Sequence, residues 1–389
     1  MTGSPLSGIR VVDFTHVLAG PYCTMLLADA GADVVKVEPP GGEFARQRGT
    51  RKEPASGEWI SAYYVAVNRG KRSLEVDLKT EDGLALVRDL IAQSDVVVEN
   101  FSPGTIAKLG LDLARLRSED PRLITCSISL YGSASAGSVT KSGVARLGLA
   151  LVAEAEAGVL SQGMDPSQPP QPVSMALGDM VAGLAGFAGV SAALAGRERT
   201  GLGQHVDISM VQALLSMNVP GMVTQQMLRE GGQEQLTREE AIRKSVTAPY
   251  GFYRCQDGLV AIAVNNDDAW QSLLVALNRQ DLADDERYTF RDNRNPRVEE
   301  VRAIVEERTS QLPKREVLDL LVSHRVPCGL VRQSWELSDD VDLDAAGAYV
   351  AVDDGFGNRY RTPANPFGFD ADDRAVPRLN DYHTTLDRT

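Results

Sequence analysis

The stretch from Val173 to Gln212, VSMALGDMVAGLAGFAGVSAALAGRERTGLGQHVDISMVQ, constrains this chain more than any other. It reads as a long Gly/Ala-rich helix, a tight turn at Thr200-Gly201-Leu202-Gly203, and a short strand at His205–Ser209. Gly183, Gly186 and Gly189 each lower helix propensity by up to ~1 kcal/mol relative to alanine. With Ala182, Ala185, Ala188, Ala192 and Ala193 they leave a bare surface that another backbone or a ligand can approach closely. Such a helix is expected to be buried. The apolar run from Met180 to Gly196 is also long enough to raise the question of a membrane, but it follows Asp179, ends at Arg197 and is rich in Gly and Ala, which favours a buried helix over a span. Asp179, near the helix start, has two readings: a cap that satisfies nearby backbone N–H groups, or a carboxylate held dry for chemistry. Spacing alone favours the cap.

The N-terminal half supplies the scaffold around that helix. Ile9–Phe14 is a short apolar, β-branched run, followed by the loop His16-Val17-Leu18-Ala19-Gly20-Pro21, a helix near Thr24–Ala30, a stop at Gly31 and a strand at Asp33–Val37. A strand–turn–helix–strand unit favours a parallel, doubly wound sheet. Leu74–Leu78, Val96–Glu99 and Leu123–Ile128 read as further strands and Asp82–Ala92 as a helix between them. The first loop lacks GxGxxG, so a dinucleotide site has poor support. Beyond the central stretch, Met210–Leu228 reads as helix and Arg229–Arg243 as a solvated, charged connector. Pro249–Arg254 and Leu259–Val264 form a hairpin around Gln256-Asp257-Gly258, and helices at Asp268–Leu277, Arg297–Gln311 and Lys314–His324 complete a second, smaller α+β unit.

Charge narrows the ligand classes. The net charge is −13 and the sequence pI near 4.9, which argues against nucleic acid. An anionic ligand must therefore find local cations, and the densest group is Asn68-Arg69-Gly70-Lys71-Arg72-Ser73 with Lys79 just beyond. Those residues suit phosphate oxygens; the alternative is an ordinary solvated turn. Cys23, Cys126, Cys255 and Cys328 show no CxxC or metal-ligand spacing, and the histidines form no HExxH, so no metal site is expected. No signal peptide opens the chain, and the expected location is the reducing cytoplasm, away from membranes.

The string Gly178-Asp179, Gly183, Arg197, Thr200-Gly201, Gly203-Gln204, Val206-Asp207 and Ser209 closely resembles the class III CoA-transferases, the family of formyl-CoA transferase and carnitine CoA-transferase that is related to α-methylacyl-CoA racemase. The similarity runs nearly end to end. It implies that Asp179 is the nucleophile and that coenzyme A is a substrate, with no permanently bound cofactor. By the same resemblance His16 and Val17 lie against the coenzyme, and NRGKRS with the following V-D-L-K makes Lys71, Val76 and Lys79 coenzyme-binding. ENF-x-PG does so for Asn100 and Phe101, with Lys108 at a phosphate position. Beside these stand plainer roles: backbone capping by His16 and Asn100, and core packing by Phe101. The resemblance also implies a large Rossmann-like domain over 1–228, a connector and small domain over 229–331, a return to the large domain over 332–389, and a homodimer whose two chains interlock.

The sequence departs from the family at several points. Where many relatives carry GYD or GHD it has Gly148-Leu149-Ala150, so Leu149 fills the place of the racemase histidine, and Asn266 fills that of a supporting Glu. Racemisation needs a base and an acid on opposite faces of the carbon, which weakens a racemase-like epimerase. An inactive coenzyme-binding paralogue is weakened by the intact Gly178-Asp179. A glycine-rich lid is not evident in Val246–Arg254, and no Gln stands in His16-Val17-Leu18, which speaks against formate and oxalate as substrates. The expected reaction moves coenzyme A from an acyl-CoA donor to a carboxylic acid acceptor.

Overall fold

The computed structural model describes residues 4–47, 49–52, 60–132, 146–161, 169–172, 175–232, 248–354 and 357–368. The lid segment sought at Val246–Arg254 lies partly, and the connector Arg229–Arg243 mostly, outside the described residues. The chain divides into two compact units, 1–222 with 341–389, and 223–340.

The first unit is built on six parallel strands: β1 (Arg10–Asp13), β2 (Asp33–Glu38), β3 (Lys71–Glu75), β4 (Val96–Glu99), β5 (Ile124–Ser129) and β6 (His205–Ser209), in the order β3-β2-β1-β4-β5-β6. This is the doubly wound, Rossmann-like order, with its reversal between β1 and β4. Period-2 alternation explains how both faces are covered. Val11, Val34 and Val96, in register across three strands, pack with the helices α1 (Ala19–Asp29) and α4 (Leu177–Thr200). Val12, Val35 and Val97 face the other way, onto Val87 and Ile91 of α2 (Glu81–Ala92). A seven-residue helix, α3 (Ala150–Glu156), and α5 (Met210–Ser216) also pack against α4.

The central helix has the close contacts its composition implied. A side-chain carbon at Gly183 would stand 2.5 Å from the carbonyl oxygen of Ala19, so the second turn of α4 and the start of α1 touch backbone to backbone. By length and composition α4 could cross a membrane; here Ala182, Val190, Ala193 and Leu194 are buried in the core shared with α1 and the sheet.

Two segment expectations are corrected. The third strand spans Lys71–Glu75, three residues before the expected Leu74–Leu78: Lys71 is buried with its charge paired to Asp13, and Arg72 pairs with Asp33 on the exposed edge. The expected helix Met210–Leu228 is two, Met210–Ser216 and Val219–Glu230. Pro220 accounts for the break, since a residue without an N–H fits a helix's first turn and not its interior.

In the first unit the C-terminal hairpin β10 (Tyr349–Asp353) and β11 (Arg359–Pro363) is tied to the N-terminal part by Arg69, which donates to Thr362 Oγ1 at 3.0 Å and Pro363 O at 2.9 Å while pairing with Asp29 at 2.6 Å. The second unit has an antiparallel sheet of β7 (Tyr250–Cys255), β8 (Gly258–Ala263) and β9 (Cys328–Leu330), with β8 central. Val260 and Ile262 pack there on Trp270, Leu273, Val301, Val305, Val317 and Leu321 of three helices.

Candidate active site

Ligands of open parallel sheets bind beyond the carboxyl ends of the strands, where the order reverses. In this chain that point lies between the loops after β1 and β4, and the structure fixes both. The side chain of Asn100 spans them: Oδ1 accepts from His16 N–H at 2.7 Å and Nδ2 donates to His16 O at 2.9 Å. The His16 and Phe101 rings pack with centroids 4.9 Å apart. Gly20 makes room, because a side-chain carbon there would lie 2.4 Å from Thr15 and 3.1 Å from the Asn100 carboxamide carbon. Four of the residues expected to meet the coenzyme, His16, Val17, Asn100 and Phe101, thus form one ledge.

Beneath the ledge lies a charged network that the apolar look of the strands hid. Asp13 is fully buried at the end of β1. It accepts from Thr15 N–H at 2.8 Å, Thr15 Oγ1 at 2.5 Å and Thr24 Oγ1 at 2.6 Å. Burial works to raise its pKa, but Lys71, 3.1 Å away, and Lys36 outweigh it and hold the carboxyl below the ordinary range. Lys36, also fully buried, donates to Thr15 O at 2.6 Å and lies 3.3 Å from Glu43 Oε1. Glu43 Oε2 accepts the amides of Val17 and Ala45, each at 3.2 Å. Those contacts hold Val17 at φ +66°, a left-handed conformation unusual for a β-branched residue and costing about 1–3 kcal/mol. Strain of this kind persists where the surroundings over-determine the backbone. Here the buried pairs do so.

The basic cluster is a correction. Lys71 is 3% exposed, and its Nζ donates to Pro21 O at 2.9 Å and Asn68 Oδ1 at 2.8 Å while pairing with Asp13 at 3.1 Å. An ammonium has three donors, so none remains for a phosphate. Arg69 and Arg72 are likewise paired, with Asp29 and Asp33. The structure thus separates Lys71 from the other expected ligands: it braces the ledge from inside. Val76 is buried and its N–H donates to Glu38 O at 2.8 Å. Lys79, in the turn after β3, and Lys108, at the end of the short helix Thr105–Lys108, are exposed at the carboxyl side of the sheet.

Asp179 stands in the first turn of α4, whose cap position is Ala176 and receives no side-chain hydrogen bond. The expectation that Asp179 is itself a cap is not met. The cap acceptor comes from another helix: Glu154 Oε1 of α3 accepts Gly178 N–H at 3.1 Å. Gly178 permits this approach, since a side-chain carbon there would sit 3.1 Å from Ala150 Cα. Asp179 is half-buried. Burial first and the Glu154 charge second raise its pKa to about 6. One turn further on, Gly183 touches Ala19, the first residue of α1, which follows the loop that carries His16 and Val17.

Glu154, Asp13, Lys36 and Glu43 were not singled out from sequence. For Asp13, Lys36 and Glu154 the one signal was a charged residue inside an apolar run, as in RVVD, DVVKVE and LVAEAEAG; Glu43, in PPGGEFAR, gave none. Leu149, in the place of the racemase histidine, is 75% exposed. Asn266, in the second unit, caps its own helix by accepting Ala269 N–H at 2.8 Å.

Residues 6–381 match the family model described as CoA-transferase family III. A succinyl-CoA:mesaconate CoA-transferase of Haloarcula hispanica is 37% identical over 352 residues, 88% of this chain and 86% of the relative. A succinate–glutarate CoA-transferase of Agrobacterium fabrum is 37% identical over 352 residues, 90% and 85%. Among solved structures, a CAIB/BAIF family protein from Brucella suis superposes with a TM-score of 0.80 at 32% identity, covering 97% of this chain and 95% of that one.

Proposed function

Because this chain belongs to CoA-transferase family III, we propose that it moves coenzyme A from an acyl-CoA to a free carboxylic acid, with Asp179 as the nucleophile. The observation that carries this is the placement of Asp179: a half-buried carboxylate in the first turn of a Gly/Ala helix, with its pKa raised to about 6, one turn before the Gly183–Ala19 contact with the start of α1. At neutral pH it is ionised and more nucleophilic than an ordinary carboxylate.

In this scheme a carboxylate oxygen of Asp179 attacks the thioester carbon and expels the coenzyme thiolate, leaving a mixed anhydride. The thiolate then attacks the Asp179 carbonyl, releases the donor acid as its carboxylate and forms an aspartyl thioester. The acceptor carboxylate attacks that thioester, and the thiolate returned attacks the acceptor's carbonyl, regenerating Asp179. One negative charge is passed along and no proton or water is consumed. Backbone N–H groups would hold the tetrahedral oxyanions, and water must be excluded because an anhydride hydrolyses.

His16, Val17, Asn100 and Phe101 would carry the coenzyme along the ledge, with Lys79 and Lys108 for its phosphates. The relatives act on succinyl-CoA, mesaconate, succinate and glutarate by name, and we take short dicarboxylic acids as the substrate class. Leu149 offers no ionisable group and Asn266 spends its carboxamide on its own helix, so neither supports racemisation. We also propose an interlocked homodimer, testable by light scattering and by subunit exchange between tagged and untagged protein. The deciding assay for function incubates succinyl-CoA with a panel of acids, including glutarate, mesaconate, oxalate and formate, and follows new thioesters by mass spectrometry. Transfer to glutarate and mesaconate is expected, and none to oxalate or formate. Absence of transfer to any acid, or α-proton exchange in deuterated solvent without transfer, would refute the reading.

A further inference from the structure

We propose that Glu154 is a positioning residue for the transfer: from a neighbouring helix it fixes the amide that leads into Asp179, and its charge sets how readily that carboxylate forms and keeps an acyl bond. The inference rests on Asp179 being the nucleophile.

The geometry comes first. Glu154 is 2% exposed, on α3, and reaches across to Gly178 N–H at 3.1 Å. Gly178 is the second residue of α4, so its amide is one of the four N–H groups that a helix start leaves without a partner. The residue at the cap position, Ala176, cannot satisfy it. Helix starts are usually capped by a short side chain of their own chain segment. A buried glutamate brought from another helix, against a glycine that admits the approach, is a costlier arrangement than a serine at position 176 would have been. A carboxylate buried here also exposes its neighbour to a negative charge that a neutral cap would not supply.

Among the described residues, Glu154 is the charged group that acts on Asp179. The part of α1 packed against the same stretch of α4 offers the Ala19 carbonyl and the Tyr22 ring, and the charges of Arg69 and Asp29 act on Tyr22. The helix N-terminus itself favours an ionised Asp179; burial and Glu154 work against it, and the net direction is upward.

A charge that raises proton affinity raises acyl affinity for the same reason. Ionised Asp179 repels Glu154. Once acylated, Asp179 is neutral and the negative charge has left with the thiolate, so the repulsion is relieved on forming the anhydride and again on keeping the thioester. Glu154 therefore favours the covalent intermediates over the free carboxylate. It touches no reacting atom.

Glu154→Gln keeps the acceptor oxygen for Gly178 and removes the charge. Two measurements read its effect in the full-length protein: the pH profile of kcat/KM for transfer from succinyl-CoA, and carbon-13 NMR titration of carboxyl-labelled aspartate, with Asp179→Asn to assign the resonance. The expected result is that the acid limb and the titration midpoint both move down by roughly one pH unit, with less aspartyl thioester trapped by mass spectrometry. Glu154→Asp retains the charge, and its midpoint is expected to stay closer to that of the parent than to that of Glu154→Gln, whatever it does to folding. A midpoint unmoved in folded Glu154→Gln would overturn the proposal. A midpoint that moves while the kinetic limb does not would support the coupling and overturn Asp179 as nucleophile, so the two readings fail separately.

Discussion

Asn100 holds both the amide and the carbonyl of His16, at 2.7 and 2.9 Å, and so locks the loop after β1 to the loop after β4 at the point where the sheet reverses its order. Capping and ligand placement are not alternatives for such a residue, since fixing the His16 backbone is how it would present His16, Val17 and Phe101 to a coenzyme.

Asn100→Ala is accordingly expected to cost about 1–3 kcal/mol of stability, because it leaves two backbone groups unsatisfied, and to raise KM for acyl-CoA more than it lowers kcat. Asn100→Asp keeps the acceptor for His16 N–H and loses the donor to His16 O. It should fall between the parent and the alanine variant. Thermal unfolding and steady-state kinetics on the three proteins check the order; an unchanged KM in Asn100→Ala would show that the ledge does not carry the coenzyme.

The fold was legible where one face of an element is uniform. The alternation of Val11 and Val12, the stop at Gly31 and the small-residue face of 182–193 each state a local geometry, and the doubly wound sheet follows from them. The ledge was legible through the two loops that build it. What sequence did not disclose was charge carried inward. Lys71 looks like a solvated cation in its local window, and only the register of β1, β2 and β3 brings Lys36 and Lys71 to Asp13, while the loop after β2 adds Glu43. Glu154 was hidden for a related reason: its partner Gly178 is 24 positions away, and a glutamate in a helix gives no hint that it caps another.

The buried carboxylates predict acid sensitivity. Glu38 accepts from Arg46 Nε and Nη2 at 2.7 Å each and from Ser73 Oγ at 2.6 Å. Burial works to raise its pKa, but the Arg46 hydrogen bonds and the Lys36 charge bring it from 4.5 down to about 2. A depressed carboxylate contributes stability that is complete above its unfolded value and is lost as pH falls through the folded one. The window is therefore pH 4.5 to about 2, and the contribution is on the order of 3 kcal/mol. Glu38→Gln should lower Tm at pH 7 and flatten its fall across that window. An equally steep fall in the variant would locate the acid sensitivity elsewhere.

Lys71 and Lys79 separate bracing from binding. Lys71→Met removes the ammonium 3.1 Å from Asp13 and leaves a buried carboxylate short of a partner; the expected loss is about 3 kcal/mol, with KM for acyl-CoA changed less than about twofold in the protein that folds. Lys79→Ala should do the reverse, leaving stability within ~0.5 kcal/mol of the parent and raising KM, with the rise shrinking at high salt. A large KM effect for Lys71→Met at unchanged stability would restore Lys71 to the ligand side.

Asp179 decides the mechanism. If its carboxylate is the nucleophile, Asp179→Ala and Asp179→Asn should each lower kcat for transfer at least about a thousandfold, while coenzyme binding, which the proposal assigns to the ledge rather than to this side chain, should stay within a few-fold of the parent by calorimetry. In the parent, kcat/KM should fall below a pH of about 6, where the carboxyl takes up its proton. Asp179→Asn calls for one control, because slow deamidation of the introduced carboxamide would regenerate aspartate. Activity that grows with storage and coincides with a mass gain of about one dalton in the peptide spanning position 179 is recovery of the nucleophile and supports the assignment. Steady transfer near the parent rate in Asp179→Ala, which cannot revert, would remove Asp179 from the reaction.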